Sequence, residues 1–279
     1  MWILLRAETR KLLARKMVLL AFALVVLVAW AGPWAGQVAE TARELTSERR
    51  GARNPYDNGW TALAGSMKLA GGFLSIVLLV IAASSVAEET SQGTLKALCA
   101  RPIRRSELLL AKLLVTWGFG VVLLLASAGA AALGAEMTLG LYDVPLDPLF
   151  PERIKFAFGD MCVLGYQVVA LSAWALLGLA GVGLLCSTWL EHSGHATGAA
   201  IGALFLCSAL AGLSGGAREW VFTTYLDGSF EAFRDIAARI SGEETKFAAR
   251  AARSVYVPLL WAVGLFGLAA WSLERRDIA

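Results

Sequence analysis

Charge is the scarcest thing in this sequence: only 17% of its 279 residues are Asp, Glu, Lys or Arg, against 57% hydrophobic. An ordinary soluble domain carries about 25% charged and roughly 45–50% apolar residues. Cysteine is scarce too, with Cys99, Cys162, Cys186 and Cys207 and no C-x-x-C pair. That excludes a disulfide framework and leaves buried free thiols acting as small hydrophobes as the expectation. No G-x-x-x-x-G-K-[ST] phosphate loop occurs, which excludes the usual mode of ATP binding by this chain. The middles of the apolar runs hold almost no ionisable residue, whereas ion- and proton-coupled carriers commonly place such groups near the midplane.

What is present is length without charge. About 20 predominantly apolar residues span the hydrocarbon of a bilayer. Six stretches qualify: Met17–Gly36, Met67–Val86, Leu108–Gly134, Met161–Ser187, Gly194–Gly215 and Val255–Leu273. The expected fold is an all-α polytopic membrane protein built as one domain over 1–279, with no internal repeat. Trp30, Trp34, Trp60, Trp189, Trp220 and Trp271 fall near the expected ends, where amphipathic rings suit the headgroup region, whereas Trp117, Trp174 and Trp261 lie within spans. The first run loosely imitates a cleavable signal peptide. It is expected to stay in place as a span, because the later spans need it for a sensible orientation.

Three basic clusters orient the chain. Arg6, Arg10, Lys11, Arg15 and Lys16 precede the first span; Lys96, Arg101, Arg104, Arg105 and Lys112 follow the second; Arg275 and Arg276 close the chain. These predict cytoplasmic termini in a multi-pass protein of the cell (inner) membrane. Residues 1–16 read as an amphipathic interface helix, with Ile3, Leu4, Leu12 and Leu13 resting in lipid and the cations meeting anionic headgroups. The segment Gln37–Gly65 contains a charged helical pattern ended by Asn54-Pro55, and Ala135–Asp160 is a short, acidic, proline-bearing connection. In Ala217–Ser254, the residues Phe230, Phe233, Ile236 and Ile240 recur at helical spacing. They predict an external helix that caps the bundle or lies on the membrane surface, capping being the plainer reading.

The loop between the second and third spans is the unusual part. In "AEETSQGTLKALCARPIRRSELLLAK", Glu88 and Glu89 end the second span at the water boundary. Ser91 or Thr94 then offers a cap for a short helix, Pro102 forces a break, and Ser106 is placed to cap the third span. Glu107 faces that span's positive helix end. Leu95 and Leu98 share one side of the short helix at i, i+3 spacing. A tight polar turn would suffice to join two spans; an exposed helix with apolar and basic residues suits a groove on another protein. A plain basic surface loop is the alternative reading.

Glu89, Gly93, Thr94, Leu95, Leu98, Pro102, Ile103, Arg105 and Lys112 together resemble the loop of the ABC-2 family of ATP-binding-cassette transporter permeases. Ser91 stands where that family often has a second acid, and Ala111 where a Gly is frequent. The resemblance extends to the interface helix, the six spans and the closing Arg276–Ile278, and so covers the whole chain. It implies a non-catalytic permease subunit whose loop docks as a coupling helix into a separate nucleotide-binding ATPase. ATP and Mg are then expected in the partner and no cofactor in this chain. A second permease copy and membrane lipid complete the partners; nucleic acid is not among them. Export is the expected direction.

Rival readings are weaker on the residues. A polytopic membrane enzyme or structural membrane protein is the alternative class, but "AEETSQG" has Gly93 where a prenyl-protein protease motif requires Arg. Glu191, His192 and His195 lie in a turn too short to build a supporting shell for a metal. Gly194, Gly198 and Gly202 recur every four residues and permit close helix approach. Packing within the chain and a seam between two permeases both fit that pattern. For topology, a cysteine substituted at Ser241 is expected to react with an impermeant reagent from outside intact cells. Reaction only after the membrane is opened overturns the orientation.

Overall fold

The computed structural model describes residues 1–46, 58–93, 104–147, 150–212, 216–238, 240 and 243–275. Among the described residues, eight α-helices run in the order α1 (Trp2–Leu13), α2 (Lys16–Thr46), α3 (Gly59–Ser91), α4 (Arg105–Thr138), α5 (Phe158–Trp189), α6 (Ser193–Gly212), α7 (Thr224–Ala237) and α8 (Glu243–Arg275). A short antiparallel hairpin, β1 (Val144–Asp147) and β2 (Phe150–Phe156), lies between α4 and α5. A 3₁₀ turn, Gly216–Trp220, follows α6. Helices α2 to α6 and α8 are long and apolar enough to cross a membrane. The fold is therefore an all-α polytopic membrane fold, as the apolar runs predict.

The helices outrun the apolar stretches. α3, α4, α5 and α8 each hold 32 to 34 residues, roughly 50 Å of helix against ~30 Å of hydrocarbon. Local chemistry explains the boundaries. Asn58 caps α3 reciprocally with Thr61, satisfying backbone N–H groups that have no partner within the helix. At its other end α3 stops at Ser91, and Gly93 takes a positive φ of +69°. Its N–H donates to the Thr90 carbonyl, a left-handed stop that a side chain would strain. Ser91 is thus the last residue of α3, its hydroxyl donating to the Glu88 carbonyl, and not the cap of a following helix. Ser106 is not a cap either. α4 begins one residue earlier, with the Arg104 carbonyl accepting from Glu107 and Leu108, while Glu107 does sit in the first turn.

The core lies where α3 meets α5. Val25, Ala29, Met67, Leu74, Leu78, Leu79, Ala83, Leu123, Leu176 and Leu179 are buried in one cluster. Gly183 makes this crossing close: a Cβ there would meet Ala82, the Ala83 nitrogen and the Leu79 carbonyl. The Ser187 hydroxyl oxygen accepts from the N–H groups of Val86 and Ala87 at 2.8 and 2.9 Å, so α5 also pins the end of α3. The start of α1 and the end of α8 lie at this end of the bundle, where Leu4 packs beside Leu108 and Leu273. We call it the loop end.

At the opposite end the chain folds back. Phe222 is fully buried against Gly178 and Trp261. Gly178 lies 20 residues from the start of α5 at Phe158, roughly 30 Å along it, so Phe222 reaches nearly two thirds of the length of that helix. From there α7 climbs along α3 with Phe230, Phe233 and Ile236 buried, Glu231 paired to Lys68 at 2.6 Å, and Asn58 donating to the Ala237 carbonyl. The expected cap is therefore a re-entrant element, tolerable at that depth because its backbone is enclosed by protein. Ile240 falls beyond α7 and is exposed.

Other expectations shift as well. Trp60 is buried, donating to the Tyr142 carbonyl, and does not mark a headgroup boundary. Cys162 is exposed, so it is not a buried thiol. The charged pattern after the first span continues α2 through Thr46; the remainder, 47–57, lies outside the described residues. In α1 only Leu12 is buried, with Leu4 partly covered, whereas Ile3 and Leu13 are exposed. For packing, Gly183→Leu is expected to cost about 1–3 kcal/mol, the usual range for overpacking. Gly264→Ala, with nothing within 4 Å, should cost nothing measurable. Thermal unfolding in detergent compares the two.

Candidate coupling site at the loop end

Lys112 enters the bundle in the second turn of α4 and is 3% exposed. An ammonium carries three donors, and in an apolar interior each needs an acceptor. Lys112 Nζ finds Glu89 at 2.9 Å, Glu8 at 3.1 Å and the Ser85 carbonyl at 2.9 Å. Lys11 bridges the same two carboxylates, at 2.9 Å from Glu89 and 3.0 Å from Glu8. Two acids and two bases from α1, α3 and α4 thus form one neutral cluster. Beside it, Arg15 holds Glu88 at 2.6 Å. Glu89 is accordingly not a carboxylate resting at the water boundary; it lies inside protein among cations.

Titration follows from this geometry. Burial pushes the Glu8 carboxyl up, but Lys112 and Lys11 together outweigh it and hold the group below its ordinary 4.5. For Lys11 burial pushes down, while Glu89 and Glu8 outweigh it and lift the amine above its ordinary 10.5. A depressed carboxyl contributes stability that is complete above its unfolded value and is lost as pH falls through the folded one. A raised amine contributes fully below its unfolded value and loses this as pH rises through the folded one. Both contributions are complete between pH 4.5 and 10.5.

The other root of the loop is held differently. Arg105 Nη1 donates to the Leu273 carbonyl at 2.9 Å and reaches Glu274 at 3.5 Å. These carbonyls end α8 and lack helical donors, so a guanidinium there is favourable in both hydrogen bonding and dipole. Of the loop residues singled out in the sequence, Glu89 and Lys112 meet in the cluster, Arg105 clamps α8, and Gly93 stops α3. Thr94, Leu95, Leu98 and Pro102, with the short helix expected of them, lie outside the described residues.

Glu8, Lys11, Arg15 and Glu88 were not singled out as site residues. A signal existed: Lys112 lies inside an apolar run, and a buried cation demands a counter-charge. Glu8 is the only acid before the first span.

Gly194, Gly198 and Gly202 stand apart from this site. Ala196 and Ala200, the buried residues of α6, face the bundle. The glycines are offset by two residues, about 200° around the helix, and a Cβ on any of them would meet nothing within 4 Å. Packing within the chain thus does not use them. Phe205 and Leu206 on α6 are also exposed. A groove of about 730 Å³ runs between α2, α3 and the start of α6, bordered by Met17, Ile76, Val80, Gly194 and Thr197. Among the described residues, no group of three His, Cys, Asp or Glu is placed to hold a metal ion.

The six apolar helices and the interface helix ion-paired to them define a polytopic membrane protein. Residues 4–190 match the family model described as ABC-2 family transporter protein, and the chain belongs to that family. No curated protein matches it.

Removing one partner of a buried ion pair typically costs about 3–5 kcal/mol, and Lys112→Ala is expected to fall in that range. Replacing Lys112 and Glu89 together by Met and Leu should recover most of it. Thermal unfolding in detergent measures both, and the hydrogen-exchange protection factor of α1, with the intrinsic pH dependence divided out, should stay constant from pH 4.5 to 10.5 and fall on either side.

Proposed function

We propose that this chain is the permease subunit of an ATP-binding-cassette exporter of the cell membrane, with both termini cytoplasmic. A separate ATPase subunit binds ATP and Mg and hydrolyses the nucleotide; the permease performs no chemistry itself. The observation that carries this reading is the mounting of the loop. One root is tied through Glu89 and Lys112 to the interface helix, and the other through Arg105 to the end of α8. A helix docked on the ATPase between these roots would move α1, α3, α4 and α8 together. Glu89, Arg105 and Lys112 then act as transmission residues within the permease, while Leu95 and Leu98 are the anchors that meet the ATPase.

A second permease copy or homologue belongs to the same proposal. The outward glycine face of α6 supports close approach of another helix. The groove beside it, open along one side, would become a substrate path once a partner closes it. Lipid occupies the remaining apolar surface.

Leu95→Asp is expected to abolish capture of the ATPase, since burying a Leu is worth roughly 1.5–3 kcal/mol and a carboxylate would be stranded. Lys96→Ala should have little effect. Both are read by pull-down at matched membrane levels. Wild-type association and transport by Leu95→Asp would refute the docking role. ATP hydrolysis by the rigorously purified chain alone would refute the division of labour and favour a membrane enzyme.

A further inference from the structure

The end of the bundle opposite the loop holds a cavity of about 200 Å³ between the 3₁₀ turn, α7 and the first turns of α8. Its lining includes Arg218, Arg250 and Arg253 together with Glu219, Glu231, Asp235 and Glu243. The acids are all committed. Glu219 pairs with Arg253, Glu231 with Lys68, Asp235 with Arg234 and Glu243 with Lys246. That leaves Arg218 and Arg250, both exposed side chains, which make no ion pair within 4.0 Å among the described residues, Arg218 also facing Glu231 at longer range. Ser229, 6% exposed, also lines the cavity. A hydroxyl and two guanidiniums without ion pairs on one cavity wall form a donor set suited to an anionic acceptor.

The mounting is rigid and its level is informative. Thr224 donates to the Arg218 carbonyl and Tyr225 to the Glu219 carbonyl, both at 2.7 Å, so the turn carrying Arg218 is tied to α7. Ser254 holds the Arg250 carbonyl at 3.1 Å. Arg250 lies 23 residues before Leu273, roughly 35 Å along α8 from the loop end, just past ~30 Å of hydrocarbon. This is the level of lipid headgroups. The volume suits a headgroup-sized moiety and not a whole lipid.

We infer that this cavity is a phosphate-binding site: Arg218 and Arg250 hold the phosphate oxygens and Ser229 donates to one of them, with Tyr225 and Phe247 forming apolar walls. Guanidinium forks match phosphate geometry, and the headgroup level makes a phospholipid phosphodiester of the adjoining leaflet the occupant. The site is independent of the coupling role, since it lies at the other end of the bundle.

Two arms separate the sources of phosphate. In one, the purified chain is delipidated in a phosphorus-free detergent and titrated calorimetrically with inorganic phosphate. In the other, it is reconstituted in phosphatidylcholine nanodiscs and re-extracted, and retained phospholipid is counted by phosphorus NMR. Arg218→Gln with Arg250→Gln should lower lipid retention by roughly tenfold or more, as expected for losing charge-assisted hydrogen bonds. Ser229→Ala should lower it less. Lys155→Gln, which removes one positive charge near the same end but outside the cavity, should leave it unchanged. Both arginines are without ion pairs, so folding should persist; gel filtration checks this, and Arg250→Gln alone gives the same reading if the double variant fails. Inorganic phosphate binding that is lost in the variant, without retained lipid, supports the site with free phosphate as its ligand. Binding that is absent in both arms, or unaffected by the substitutions, overturns it.

Discussion

The loop end is organised around one buried ammonium. Lys112 cannot remain charged in an apolar helix bundle without acceptors for each of its N–H bonds, and the acceptors come from three directions. Meeting that requirement draws the last turn of α3 against α4 and brings α1 beneath both. Lys11 joins because two carboxylates around one cation would leave a net negative charge in the same enclosure. The amphipathic helix is thus more than a lipid anchor: Glu8 and Lys11 tie it by ion pairs to α3 and α4, although Trp2 and Ile3 still point outward.

This arrangement changes the meaning of the loop pattern. Glu89 and Lys112 flank the expected coupling helix in sequence, which invites the idea that they touch the partner. They are instead turned inward, and Arg105 is committed to the carbonyls of α8. Gly93 has a reason of its own, since it ends α3 in a left-handed conformation. The residues bordering the loop hold it to the permease, which leaves its apolar interior positions, Leu95 and Leu98, for the proposed contact with the ATPase. A loop with flexible roots would dissipate a docking force; one tied to four helices would pass it on.

The opposite end works by a different principle. There the chain re-enters the bundle through Phe222 and returns as α7, burying an aromatic face against α3 and α5 while leaving its polar side to form a cavity with α8. Ion pairs such as Lys68–Glu231 engage the acids that line the cavity and leave Arg218 and Arg250 without one. Charge there is arranged to receive something, whereas at the loop end every charge in the cluster has its counterpart within the chain.

The sequence by itself determined the membrane class, the six spans and the place of the loop, because apolar length and charge position act locally and survive any tertiary arrangement. The apolar stripe of α7 was legible for the same reason. Tertiary structure alone decided which charges meet. Glu8 and Glu89 are 81 positions apart, and nothing in their spacing says that both face Lys112. It also decided that Ala196 and Ala200 face inward while Gly194, Gly198 and Gly202 face out, since a small-residue face is equally suited to packing inside one chain or between two. The depth of Phe222 was hidden too: helical periodicity reports which face is apolar, and only the neighbours that cover that face fix how deep it lies.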